Sequence, residues 1–140
     1  MRAEITVTRD IAACRALRRA VFTLEQGVSE ADEIDDLDEV ATHLLARLDG
    51  RAIGTARIVP SGSFAKIGRV CVLGDQRGTG LGAALIRAAV AEGRVMPGVK
   101  KAKLGAQTHA TGFYEKLGFV AVGEEFIDAG IPHREMVLTL

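Results

Sequence analysis

The chain has 140 residues, 48% of them hydrophobic, and its 18 Lys and Arg balance 18 Asp and Glu. That length suits one domain with a substantial core and excludes two ordinary domains. No run of about 18 apolar residues occurs and MRAEITVTRD opens without an apolar leader core, so the expectation is a soluble, cytoplasmic chain with no membrane partner. Basic residues are not clustered with aromatics, and only one Tyr, five Phe and no Trp are present, which argues against nucleic-acid binding.

Ala3 to Thr8 alternates and is β-rich, so it reads as a first strand, with helix-start chemistry at Thr8 to Asp10. Ile11 to Gln26 follows as an amphipathic helix with Ile11, Cys14, Leu17, Val21 and Leu24 on one face, stopped by Gly27. Between Glu25 and Glu39 stand eight acids and no Lys or Arg, leaving 18 basic against 10 acidic residues elsewhere, a formal +8. This segregation fits either a region for a cationic substrate apart from one for an anionic cofactor, or a solvated acidic loop.

Thr42 to Leu48 and Ala52 to Val59 flank Asp49-Gly50, a dipeptide that favours a tight hairpin, so two antiparallel strands are expected. Pro60 to Ser63 reads as a second turn, and Ile67 to Leu73 as a short buried strand. Next comes Arg77-Gly78-Thr79-Gly80-Leu81-Gly82, followed by Leu81, Leu85, Ile86, Ala89 and Val90 at helical spacing. Glycines admit positive φ and let main-chain N–H groups approach a ligand, and a helix start adds unpaired donors, so the run reads as a phosphate cradle or as a plain turn. Val99 to Ala106 is a fifth strand, parallel to the fourth because a helix joins them. Thr111 to Leu117 is a short helix ended by Gly118; Phe119 to Val122 and Glu135 to Leu140 are the last strands, joined by a loop holding Gly130, Pro132 and His133.

Cys14 and Cys71 lie far apart in apolar patterns, and His43, His109 and His133 lack partners at ligand spacing, so no metal is expected. Gly78-x-Gly80-x-x-Ala83 also fits a loose dinucleotide fingerprint, but four strands precede it and Lys100, Lys101 and Lys103 stand where an acidic residue is needed.

The order of elements, RGTGLG after the fourth strand and AQTHATGFYEKLGF after the fifth resembles the GNAT superfamily of acyl-CoA-dependent N-acetyltransferases, over nearly the whole chain. Arg77 to Gly82 matches its R-x-x-G-x-G/A signature, and Phe22 to Val28 resembles the ElaA- and YjcF-like branch of small bacterial proteins. The resemblance implies an α/β (α+β) fold: a mixed, mostly antiparallel sheet of six to seven strands flanked by about four helices, with one parallel strand–helix–strand unit. It implies acetyl-CoA as acyl donor, with pyrophosphate on Arg77, Gly78, Thr79, Gly80, Leu81 and Gly82. Pantetheine would lie along Val70, Cys71 and Val72, with Gln107 and Phe113 nearby. Tyr114 falls where the family places the general acid for the departing thiolate; a core aromatic is the alternative. The glutamate base that many relatives carry on the fourth strand is Gly68 here, which leaves His43, Glu25 and His133 as candidate bases, His43 foremost. Glu25, Gln26 and His133 are expected around the acceptor, a small-molecule amine or a peptide. A catalytically silent acyl-CoA sensor is the competing reading, and a homodimer is implied by family likeness alone.

Overall fold

The computed structural model describes residues 3–140. In chain order the elements are β1 (Glu4–Thr8), α1 (Ile11–Arg18), a π-helical stretch (Arg19–Glu25), α2 (Glu30–Glu33), β2 (Thr42–Leu48), β3 (Arg51–Ser61) and β4 (Phe64–Val72). There follow α3 (Leu81–Arg94), β5 (Lys101–Gln107), α4 (Thr111–Lys116), β6 (Val120–Asp128) and β7 (Ile131–Thr139). The seven strands form one sheet in the order β1-β2-β3-β4-β5-β7-β6, and only β4 and β5 pair in parallel. The mixed sheet with four α-helices is the one expected.

Alternation along the strands sends neighbouring residues to opposite faces, and each face meets a helix. Leu44 faces the cluster built by Leu81, Leu85, Ile86, Ala89 and Val90 of α3, while Leu45 faces Cys14, Leu17 and Val21 of the first helical segment. Burial of each Leu or Ile at these positions contributes about 1.5–3 kcal/mol. The first helix begins where the Asp10 carboxylate accepts the Ala13 N–H at 3.1 Å. It is not one uniform helix to Gln26: past Arg18 the ladder lengthens, so that Gln26 N–H reaches the Val21 carbonyl at 3.0 Å.

Two hairpins close with two left-handed residues each, Asp49-Gly50 (φ 52° and 80°) and Ala129-Gly130 (φ 50° and 78°), the requirement of a type I′ turn. The second corrects an expectation: Pro132 and His133 lie in β7, not in a loop, and β6 runs on to Asp128. Ala-Gly is a weak hairpin signal, and the polar residues Glu124 and Glu125 hide the strand beyond the irregularity between Val122 and Phe126. The third and fourth strands are likewise longer than expected, because the turn between Ser61 and Phe64 needs only Gly62 (φ 60°) and Ser63.

β4 and β5 pair only between Phe64–Lys66 and Lys101–Lys103. Beyond that they part. On the other side of β4, Arg57 opposes Gly68 while Thr55 opposes Cys71, so β4 carries one extra residue there, and Arg69 takes φ 50°. This β-bulge bends the strand away from β5 and opens a wedge in the middle of the sheet.

Candidate active site

The wedge is the mouth of a cleft of about 810 Å³. One wall is Ile67, Gly68, Arg69 and Val70; the other is Lys103, Leu104, Gly105 and Gln107. Phe22, Gln26 and Val28 close one side, Tyr114 lies at the α4 end, and Gly123, Glu124, Phe126 and His133 reach in from β6 and β7. From Ile67 onward the backbone edge of β4 that faces β5 has no strand partner, and unpaired main-chain groups of this kind are what a ligand with amide groups can satisfy.

Beside the wedge, the loop Arg77–Gly82 leads into α3. Gly78 (φ 78°) and Gly80 (φ 86°) are left-handed, and a Cβ at either would meet nothing within 4 Å, so the approach to their N–H groups is open. Gly80 is the N-cap and supplies no side chain; Ala84 N–H bonds the Gly80 carbonyl at 3.1 Å, while Leu81, Gly82 and Ala83 present their N–H groups ahead of that first helical bond. Such an end favours an anion. Phe113 packs against it, its Cζ 3.7 Å from where a Gly82 Cβ would stand. The loop and the free β4 edge thus fit the phosphate and amide parts of a coenzyme A chain.

The acidic stretch is pinned to the sheet by arginines. Arg18 Nη1 donates to Asp38 Oδ1 at 2.8 Å and its Nε to Glu33; Arg57 donates to Asp38 at 3.0 Å and to both Asp35 oxygens at 2.8 and 2.6 Å. Arg69 Nη2 donates to the Glu33 carbonyl at 3.1 Å and to Asp35 at 3.3 Å. Hydrogen bonds from Arg57 hold the Asp35 carboxyl down at about 2. Burial pushes Asp38 up, but Arg18, Arg15 and Arg57 outweigh it and hold it well below the usual carboxylate range. Glu25 and Glu30 are also ion-paired, with Arg77 and Arg19. Five of the eight acids are thus tied to arginines, while Asp32, Asp36 and Glu39 stay exposed and make no ion pair among the described residues, Asp32 at the cleft.

The structure brings Val70, Gln107, Tyr114, Gln26 and His133 together around the cleft. Gln107 spans it: its Nε2 donates to Gln26 Oε1 at 3.5 Å, and its Oε1 accepts from His109 Nε2 at 2.7 Å. Tyr114 packs edge-on against Phe113 and Phe119, with centroids 5.0 and 6.1 Å away, and burial raises its phenol pKa. Cys71 turns its side chain into the α1-side core, where burial pushes the thiol up to about 12; Val72 directs its carbonyl to Arg77 Nη2 at 3.1 Å. Arg77 is held by both Glu25 oxygens, one at 2.9 Å, so the side chain expected to face an anion is turned to a carboxylate, and Glu25 lies outside the cleft lining. His43 is 3% exposed and donates from Nε2 to the Asp38 carbonyl at 2.8 Å; it fastens the acidic stretch and does not line the cleft. Arg57, Arg69 and Phe126 went unnoticed in the sequence. The available signal was arginines in strand patterns that otherwise read as buried, opposite a segment with no basic residue.

Residues 13–140 match the family model described as an acetyltransferase (GNAT) domain. The N-acetyltransferase YjcF of Bacillus subtilis, itself uncharacterized, is 36% identical over 125 residues, covering 86% of each chain. The structure is similar to that of an acyl-CoA N-acyltransferase from Pseudomonas aeruginosa (TM-score 0.89, 30% identity, 98% of this chain and 99% of that one). It is also similar to Escherichia coli ElaA (TM-score 0.87, 29% identity, 98% and 99%). The chain belongs to the GNAT acetyltransferase family, on the side of it that holds YjcF and ElaA.

Proposed function

We propose that the chain transfers an acetyl group from acetyl-CoA to the primary amine of a small molecule or peptide by direct attack. The observation that carries this reading is the wedge between β4 and β5, which opens next to the glycine-lined start of α3 and has Tyr114 at its end. Pyrophosphate would lie on the N–H groups from Gly78 to Gly82, with pantetheine along the free edge of Val70, Cys71 and Val72. A β4 N–H aimed into the gap would stabilise the oxyanion as the thioester carbon becomes tetrahedral. Tyr114 would give its proton to the departing sulfur; a phenol whose pKa is raised by burial arrives protonated.

Direct attack is favoured over an acyl-cysteine route because a buried Cys71 thiol with a pKa near about 12 offers almost no thiolate at neutral pH. The test is calorimetric titration with acetyl-CoA, then thiol release in the presence of primary amines and basic peptides. Saturable binding with amine-dependent release is expected. Binding with no release under any amine would replace the transferase with an acyl-CoA sensor.

A further inference from the structure

Attack on a thioester needs a neutral amine, and Gly68 removes the carboxylate that could accept the proton from β4. Among the acids lining the cleft, Glu33 and Asp35 are committed to arginines, and Glu135 lies 4.0 Å from Lys103. Asp32, Glu124 and Asp128 are exposed to solvent.

His133 differs from all of these. Its Nδ1 lies 2.7 Å from the Ile131 carbonyl. A carbonyl oxygen only accepts, so Nδ1 carries the hydrogen, and in the neutral ring the lone pair belongs to Nε2. Nε2 makes no hydrogen bond among the described residues. The ring is held in orientation by Phe126, stacked at 5.8 Å and 26°, on a rigid strand where His133 is the register partner of Gln107. Both rings lie over Gly105 of β5, where a Cβ would stand at contact distance, 3.4 Å from Phe126 and 3.9 Å from the His133 ring. The imidazole is thus fixed in tautomer and direction, with its basic nitrogen uncommitted, in the same cleft as Tyr114.

We propose that His133 Nε2 is the general base that takes the proton from the acceptor amine; this rests on the transferase reading above. The ammonium gives one proton to Nε2, the neutral nitrogen bonds the thioester carbon, the carbon–sulfur bond breaks, and the sulfur takes a proton from Tyr114. The second proton of the acylated nitrogen returns through solvent to the phenolate and the imidazolium releases its proton to solvent, so the net change is amide, free thiol and one solvent proton from ammonium and thioester.

Two variants test it. His133→Asn keeps a donor for the Ile131 carbonyl without the basic nitrogen, and His133→Gln fills the space with a non-basic amide. With spermidine or a lysine-containing peptide, protonated at neutral pH, each variant is expected to lose about a hundredfold or more in kcat/KM for thiol release. With hydroxylamine, which is already neutral, the loss should be no more than about threefold, and acetyl-CoA affinity by calorimetry should stay within about twofold. Wild-type rates in the variants with the protonated amines would overturn the assignment. So would an equal loss with both kinds of amine, or loss of acetyl-CoA binding in both variants, since either makes His133 structural. Failure of the wild-type chain to release thiol with any amine would instead sink the transferase reading, and the base with it.

Discussion

Tyr114 has its ring clasped by Phe113 and Phe119 and its hydroxyl joined to no protein group among the described residues, an arrangement that suits proton delivery better than a structural tether. Tyr114→Phe is expected to lower turnover by at least about tenfold while acetyl-CoA affinity stays nearly unchanged, because the ring packing is kept and only the proton is lost. Steady-state kinetics beside a calorimetric titration decide this; unchanged turnover would leave Tyr114 as a core aromatic. Gly80 makes a second test. Its φ of 86° is one that a β-branched residue rarely adopts, yet open space surrounds the position, so Gly80→Val should distort the loop without crowding the core. Acetyl-CoA binding should vanish while the thermal midpoint moves little. Native affinity in this variant would refute the cradle. Glu25 is expected to compete for Arg77: freed by Glu25→Gln, the guanidinium can turn to a phosphate, and acetyl-CoA affinity should rise by no more than about fivefold, the range of an exposed ion pair. Weaker binding in this variant would mean that the pair itself shapes the site.

The segment from α2 to β2 owes its position to charge. Asp38→Asn would remove the carboxylate that Arg18 and Arg57 share, leaving them Glu33 and Asp35 and the arginine cluster one negative charge short, at a cost of about 3 kcal/mol, measurable as a fall in the urea midpoint. A loss of unfolding free energy under about 1 kcal/mol would mean that water reaches the arginines after all. This lattice was the part of the molecule least legible beforehand. Strand order up to β5, the hairpin at Asp49-Gly50 and the glycine loop follow from local rules of periodicity and turn chemistry, and the structure agrees with them. Pairing of Arg57 on β3 with Asp35, 22 residues earlier, has no local signature, and an acidic run without that knowledge reads as a surface. His43 suffered likewise: an imidazole in an apolar strand looks available until the Asp38 carbonyl is found 2.8 Å away. The extension of β6 and β7 is hidden by a hairpin whose first left-handed residue is Ala129, a residue type that sequence rules do not flag.

Acid should act on the molecule through the same carboxylates. Asp35 and Asp38 hold their protons more weakly when folded than their ordinary value of 3.8, so their contribution is complete above about pH 4 and is lost as pH falls below it. For Asp35, with its carboxyl at about 2, this amounts to about 2 kcal/mol. The urea midpoint should therefore be lower at pH 3 than at pH 7; equal midpoints would deny the lattice its role. The remaining consequence concerns the wedge. On the proposed reading, a coenzyme lying there would take the place of the missing strand contacts and be read by main-chain groups, which every sequence possesses, whereas the amine would meet cleft side chains such as Gln26, Arg69 and His133. Donor and acceptor would then be encoded in different alphabets, so that substitutions could rewrite the choice of amine while the grip on the thioester carrier stays as it was.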